Sequence, residues 1–349
     1  MSAHRISFRW SKNADSGSVD AAKGLSERLR AVGQDRAADA QTVVRDTATL
    51  IQQWILERPR AWETDPDQAG GALEQGLAEW VQNQAWRGAC ANFLHGLRST
   101  FGLLSAGNEL RAGLIQELAD WADSAEAYRE QGRGTANSLD VRLPAARGVV
   151  PHALRTMERG DEVLVHGRSP AIVESLTAAQ HAGLFPRVTM AVGAADQSGK
   201  RMARHLASHG MQVRLIWDAA LVDAVGAADQ VWLATEALGS GSFLGLLGSR
   251  SLMEAACRLE IPTRVLCTSD ACLPGGHLDL PTWGDDEGWN LWSRAPGGIE
   301  LESQPFEIID GDSVTSWITE EGRTDLAALC TRHLVLEPAS PCGVAHHSE

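Results

Sequence analysis

Between Val163 and Cys267, short apolar runs alternate with helix-length amphipathic segments, and few folds accept that rhythm. The runs lie at residues 163–165, 188–192, 213–217, 231–234 and 265–267. Helical patterns over residues 171–183, 199–210 and 246–259 separate them. Near-continuous apolar runs of this length suit strands buried on both faces. Strands joined by helices form a parallel sheet with helical layers on either side. The expected fold is therefore a Rossmann-like α/β domain. The fourth run ends at a carboxylate, Glu236, and a loop of Gly239, Ser240, Gly241 and Ser242 follows. Residues 243–248 then lead toward a helix expected to carry Leu252, Met253, Ala256 and Leu259 inward. Open α/β sheets hold their ligands at strand ends of this kind.

Ahead of Val141 no strand pattern of any length occurs. Val19, Ala22, Leu25, Leu29 and Val32 recur at helical spacing, with Gly33 as a C-cap. A second helix is expected over residues 35–56, stopped by Pro59, and then a loop rich in Pro, Asp and Gly over residues 60–71. Further helices follow from Leu73, Leu77 and Trp80, and over residues 86–104, 109–128 and 143–157. The expected organisation is a flexible arm at 1–17, a helical domain at 18–138, the Rossmann-like domain at 139–335 and a tail at 336–349. Within the last domain, residues 274–304 break the rhythm with Trp283, Trp289 and Trp292 among Gly, Pro and Asp. That long loop either packs its tryptophans on the core edge or serves as a lid or partner surface.

Charge narrows the functional classes. A net charge of -14 over 349 residues argues against a nucleic-acid binder, which needs a basic surface. The start, MSAHRISFRWSKNAD, has no apolar core of signal-peptide length, and no run approaches the roughly 18 apolar residues of a membrane span. The expected location is cytoplasmic, with no membrane partner. The six cysteines are scattered without a CxxC pair and read as buried small hydrophobes. Cys342 with His346 and His347 is one grouping of metal-ligand type, in a tail expected to be disordered, and no metal is expected. The Gly239 loop is not a dinucleotide fingerprint, because Leu244 stands where the third glycine belongs, and no Gly-Lys-Ser/Thr completes a Walker loop. No cofactor is expected.

Several strings in the second half, in shared order, resemble one family. Residues 161–166, DEVLVH, resemble a strand that ends in Thr-His. Residues 199–203, GKRMA, and 209–213, HGMQV, resemble a Gly-x-x-leucine-alanine helix and a Gly-x-x-Val turn, with a strand ending at Asp218. Residues 229–233 with Glu236 are similar to an Asp-x-Val strand closing on Gly-Ala-Asp/Glu. Residues 262–269, PTRVLCTS, Pro305-Phe306-Glu307 and residues 318–322, ITEEG, complete the set. The family is that of the translation initiation factor 2B alpha, beta and delta subunits. Its enzyme relatives are methylthioribose-1-phosphate isomerase and ribose-1,5-bisphosphate isomerase. The resemblance covers about residues 150–335. It implies a helical domain before the α/β domain, and a homodimer formed through the α/β domain.

The resemblance also sets a chemical test. Aldose-ketose isomerisation needs anion clamps and an acid/base pair. The isomerase relatives carry a cysteine just after the Thr-His strand; Gly167 stands there. Their aspartate is Glu236, as in several regulatory subunits of the initiation factor. Their Arg-Pro pair reads Ala194-Ala195, and their Asn-Lys pair reads Gly245-Leu246. No Arg-Gly-Ala-Pro phosphate loop is found in the N-terminal half. Each lost charge-assisted phosphate contact removes roughly 1.5–3 kcal/mol. Replacement groups are few. His166 lies at a strand end, either bonded structurally to its neighbours or facing ligand. Arg168 and Ser169 precede Pro170 at a helix start, where they either hold an anion or serve as a solvated cation and an N-cap. The Gly239–Ser242 loop offers N–H groups and hydroxyls to an anion. Cys267 and Cys272 are candidate replacement thiols, though cysteines in apolar runs are usually inert. Glu320 and Glu321 are read as structural.

Two functions are consistent with these residues. One is an initiation-factor-2B-like regulatory or interaction protein that has shed isomerase chemistry, its crevice taking a phosphorylated sugar or nucleotide, or nothing. The other is a sugar-phosphate isomerase with a rebuilt site, with Glu236 as base and Arg168, Ser169 and the Gly239–Ser242 loop as anion clamp.

Overall fold

Prolines decide where two of the early helices start. Pro59 and Pro66 open helices at positions where the missing N–H is no loss and the fixed φ is favourable. Asp65, between them, accepts from the Gln68 N–H at 3.0 Å. The stretch 60–71, expected as a loop from its Pro, Asp and Gly content, is for this reason largely helical. The computed structural model describes residues 19–34, 40–84, 87–103, 107–123, 144–193, 197–281, 292, 296–302 and 304–333. The expected N-terminal arm, the C-terminal tail with Cys342, His346 and His347, the pair Ala194-Ala195, and Trp283 and Trp289 lie outside them.

Among the described residues six helices come first: α1 (Val19–Gln34), α2 (Ala40–Leu56), α3 (Pro59–Thr64), α4 (Pro66–Gln84), α5 (Gly88–Leu103) and α6 (Gly107–Asp123). Their apolar stripes meet in one core that includes Leu25, Ile51, Trp54, Trp62, Leu73, Phe93 and Leu97. A further helix, α7 (Pro144–Leu154), leads into the sheet.

Among the described residues the central sheet has seven strands. In chain order they are β1 (Glu162–His166), β2 (Arg187–Ala191), β3 (Gln212–Ile216), β4 (Gln230–Leu233), β7 (Thr263–Leu266), β9 (Ser316–Thr319) and β10 (Gly322–Thr324). Their spatial order is β10-β9-β7-β4-β1-β2-β3, parallel throughout except for β10. Val163, Leu164, Val231, Trp232 and Leu233 are buried, as central parallel strands require. Helices α7, α8 (Pro170–His181) and α9 (Ser198–Ser208) share one core with Trp232 and Met190. On the other face α10 (Leu221–Ala224), α11 (Ser249–Arg258) and α12 (Leu326–His333) pack with Leu233, Val265 and Trp317. The chain runs outward from β1 through β2 to β3, then returns to β1's other flank with β4. The C-terminal ends of β1 and β4 therefore mark the switch point, where such sheets open a crevice.

A second, antiparallel sheet joins β5 (Ala237–Leu238), β6 (Ser242–Leu246) and β8 (Phe306–Asp310). This departs from the sequence expectation. Residues 242–246 are a strand rather than the approach to a helix, and α11 begins at Ser249, later than the expected 246. The strand exists because β8 pairs with it from Leu246↔Phe306 to Ser242↔Asp310, a partner that no local pattern reveals. Among the described residues no helix is long and apolar enough to cross a membrane.

Candidate functional site

The switch point holds a cleft. Its walls come from the β1–α8 junction (Arg168 to Ala171), from Thr235 and Glu236 after β4, and from Leu266, Cys267, Thr268 and Asp270 at the end of β7. The helical half closes it with Ala89 of α5 and Ala40 of α2. The cleft is narrow: its free interior of about 40 Å³ is the room of about three water molecules.

Sequence dictates the junction after β1. Gly167 turns the chain at φ +89°, and a Cβ built there would lie 2.8 Å from Cβ of Ala234. Glycine is needed on both counts. The position that carries a thiol in the isomerase relatives thus has no room for a side chain. Ser169 caps α8, its Oγ accepting from the Ile172 N–H at 3.2 Å, and Pro170 follows at the first helical position. Ser169 serves as the N-cap, and both it and Arg168 line the cleft.

His166 faces elsewhere. It is buried, and its Nε2–H donates to the Leu247 carbonyl at 3.2 Å. Burial holds its pKa below the ordinary histidine value, against the Leu247 hydrogen bond and the fields of Asp218 and Glu307. It is a neutral structural donor, not a cleft residue.

Glu236 is brought into the cleft, but with a partner. Its Oε2 lies 3.5 Å from Nε of Arg87, a buried arginine just before α5. Its backbone is fixed as well: the Glu236 carbonyl accepts from Gly88 N–H at 2.9 Å, and its own N–H donates to Leu244 at 3.0 Å. Gly88 permits this approach, since a Cβ there would lie 2.0 Å from the Ala271 carbonyl oxygen. Asn92, one turn on, donates to the carbonyls of Asp270 at 2.9 Å and Cys272 at 2.7 Å. The first turn of α5 thus clasps the ends of β4 and β7.

The remaining candidates divide. Cys267 is at the cleft wall, but burial pushes its thiol well above the ordinary range. Cys272 rises to about 12, again chiefly by burial, so neither is a thiolate near neutral pH. Glu320 accepts from the backbone N–H and the hydroxyl of Ser269, and Glu321 pairs with Arg332 at 3.2 Å. The loop Gly239, Ser240, Gly241 and Ser242 does not reach the cleft. It turns β5 into β6, with Gly239 N–H bonded to Ser242 O at 2.8 Å and Ser240 N–H to Gly276 O at 3.0 Å. Gly245 and Leu246 are likewise part of β6. Both signs of charge meet at the cleft: Arg168, Glu236 and Asp270 line it, and Arg87 stands behind Glu236. Among the described residues no group of three His, Cys, Asp or Glu side chains could hold a metal.

Arg87 and Asn92 were not singled out from the sequence. The signal was present in part: Arg87-Gly88-Ala89-Cys90 spells three residues of the Arg-Gly-Ala-Pro string, with cysteine in place of proline.

Comparison with known proteins agrees with this architecture. The sequence model of the Initiation factor 2 subunit family matches residues 91–324. No curated protein matches the sequence. Among solved structures, the translation initiation factor eIF-2B of Pyrococcus horikoshii OT3 superposes with a TM-score of 0.67 at 18% identity, covering 87% of this chain and 97% of that one. The eIF2B delta subunit of Chaetomium thermophilum gives 0.58 at 18% identity, covering 84% and 97%. A chain of the tetrameric eIF2B-beta2-delta2 complex of C. thermophilum gives 0.63 at 17% identity, covering 90% and 94%. At such identities the likeness is one of fold.

Proposed function

Since the chain belongs to the Initiation factor 2 subunit family, we propose that it acts as a translation initiation factor 2B-like subunit, by assembly with other chains and without isomerase chemistry. The observation that carries this reading is Gly167. At φ +89° and 2.8 Å from Ala234, the position excludes the side chain that the isomerase relatives place there. Three further features support it. Glu236 is tied to Arg87. The thiols nearest the strand ends stay protonated. The cleft is narrow, with about 40 Å³ of free interior.

One of the solved relatives is a tetrameric assembly of beta and delta subunits, which supports association here too, and we assign this chain a homodimer formed through the α/β region. The isomerase reading keeps one point in its favour, because Arg168 and Glu236 do line the same cleft.

Turnover decides between the two. Purified protein incubated with methylthioribose 1-phosphate or ribose 1,5-bisphosphate is expected to give no ketose product. Product formation abolished by Glu236→Gln would establish the isomerase instead. A thermal-shift screen of sugar phosphates and nucleotides is expected to be flat. A ligand that binds the native state raises apparent stability by mass action, so a clear shift with one compound would show a binding role for the cleft.

A further inference from the structure

Arg264 is the second residue of β7, toward the end of the sheet away from the cleft. Its Cα pairs with Trp232 on one side and with Ser316 on the other. Residues opposite one another in a ladder share a face. All three therefore lie on the α7 side, where Trp232, Leu266 and Ile318 join one core.

A guanidinium carries five N–H donors. Those on Nε and Nη1 of Arg264 are buried and meet no acceptor among the described residues. The Ser316 hydroxyl beside them is buried and unpartnered too. Arg264 as a whole is only half-buried, so one side of it meets solvent. Buried donors are paired in nearly all native structures, and each exception needs an account.

The neighbouring charges do not supply one. No bond joins Asp161 to Arg264. Asp161 Oδ2 accepts instead from Gln230 Nε2 at 2.6 Å and from Glu158 N–H at 2.9 Å. The next charge is of like sign. Arg323 of β10 pairs with Ile318, which sets it on the same face, and it is exposed. Burial and the field of Arg323 hold the Arg264 pKa below the ordinary arginine value, against the field of Asp161. An arginine nevertheless stays protonated in a protein. A water could take some of these hydrogens but would leave the charge uncompensated.

We propose that Arg264, Ser316 and Arg323 form a binding site for a compact oxyanion of the size of inorganic phosphate, under α7 and at the opposite strand ends from the cleft. The ion enters on the solvent side of Arg264, accepts from its guanidinium and from the Ser316 hydroxyl, and offsets the repulsion from Arg323. Guanidinium donors match the oxygens of such an ion in geometry as well as charge. The donors to be met are buried, so a free ion reaches them where an ester tied to a bulky group does not. The site depends neither on the cleft nor on assembly.

The test is thermal unfolding of the full chain, titrated with inorganic phosphate in a phosphate-free buffer at constant ionic strength. A saturable rise in melting temperature is expected, because a ligand of the native state stabilises it by mass action. Arg264→Met should raise the half-saturating concentration at least about ten-fold, the loss of a charge-assisted hydrogen bond. Ser316→Ala and Arg323→Gln, milder changes, should each raise it about three-fold, the scale of one hydrogen bond or one exposed charge. Without phosphate, Arg264→Met should melt above the unaltered chain, since an apolar side chain then replaces a buried charge that lacks a partner. Arg168→Gln, in the cleft, should leave the titration unchanged. A titration that Arg264→Met and Ser316→Ala do not alter, or that Arg168→Gln abolishes, would overturn the site. An Arg264-dependent shift with ribose 1,5-bisphosphate would overturn its restriction to the free ion.

Discussion

At Gly167 the chain takes φ +89° with Ala234 pressed against it, so any side chain there carries both backbone strain and a steric overlap. Gly167→Cys is expected to lower stability by at least about 1–3 kcal/mol, the range for a residue held in a sparsely populated backbone region, read as a lower urea midpoint. It should create no isomerase activity, because the new thiol would have to displace Ala234. His166 gives a second test. Its folded-state pKa lies below its unfolded value because burial disfavours the charged ring. The unfolded chain therefore binds more protons just below the ordinary histidine value, and stability falls as pH falls through that region. Between pH values of about 7.5 and 5.5 the melting temperature should drop, and His166→Gln should flatten that drop. An equal slope in the variant would assign the loss to other groups. At this scale the sequence was partly legible. Glu236 could be placed at a strand end from the apolar run before it. Arg87, which holds it, could not be paired with it, because a contact between a helical segment and a later strand leaves no periodic trace.

The first turn of α5 shows how an element positions a site without contributing chemistry. Gly88 donates to Glu236, and the Asn92 amide reaches both Asp270 and Cys272. Asn92→Ala removes the two long-range hydrogen bonds, along with one to Gly88. At about 0.5–1.5 kcal/mol for each of the two long-range bonds, their loss should cost about 1–3 kcal/mol. Hydrogen exchange in residues 269–273 should quicken, while the core of α5 around Phe93 and Leu97 keeps its protection. Uniformly faster exchange would mean that α5 itself had been damaged. The parallel strands and their helices could be read from sequence because burial on both faces gives continuous apolar runs. The hairpin of β5 and β6 could not. Its glycines and serines look like an anion loop, and its true partner, β8, lies beyond the tryptophan-containing stretch. The early prolines misled in the same way, since Pro59 and Pro66 signal helix starts as readily as loops.

At the scale of the molecule, the net charge of -14 is what argues against a nucleic-acid partner. The order of strands bears on synthesis as well. β9 seats beside β7, and β8 completes the three-stranded sheet, yet both come from the last stretch of the described chain. Until residues 306–319 have left the ribosome, β7 and β6 each present a bare apolar edge. The growing chain must spend most of its translation in a state that neither sheet can close, and ribosomes stalled before Phe306 should yield nascent chains that recruit chaperones or aggregate.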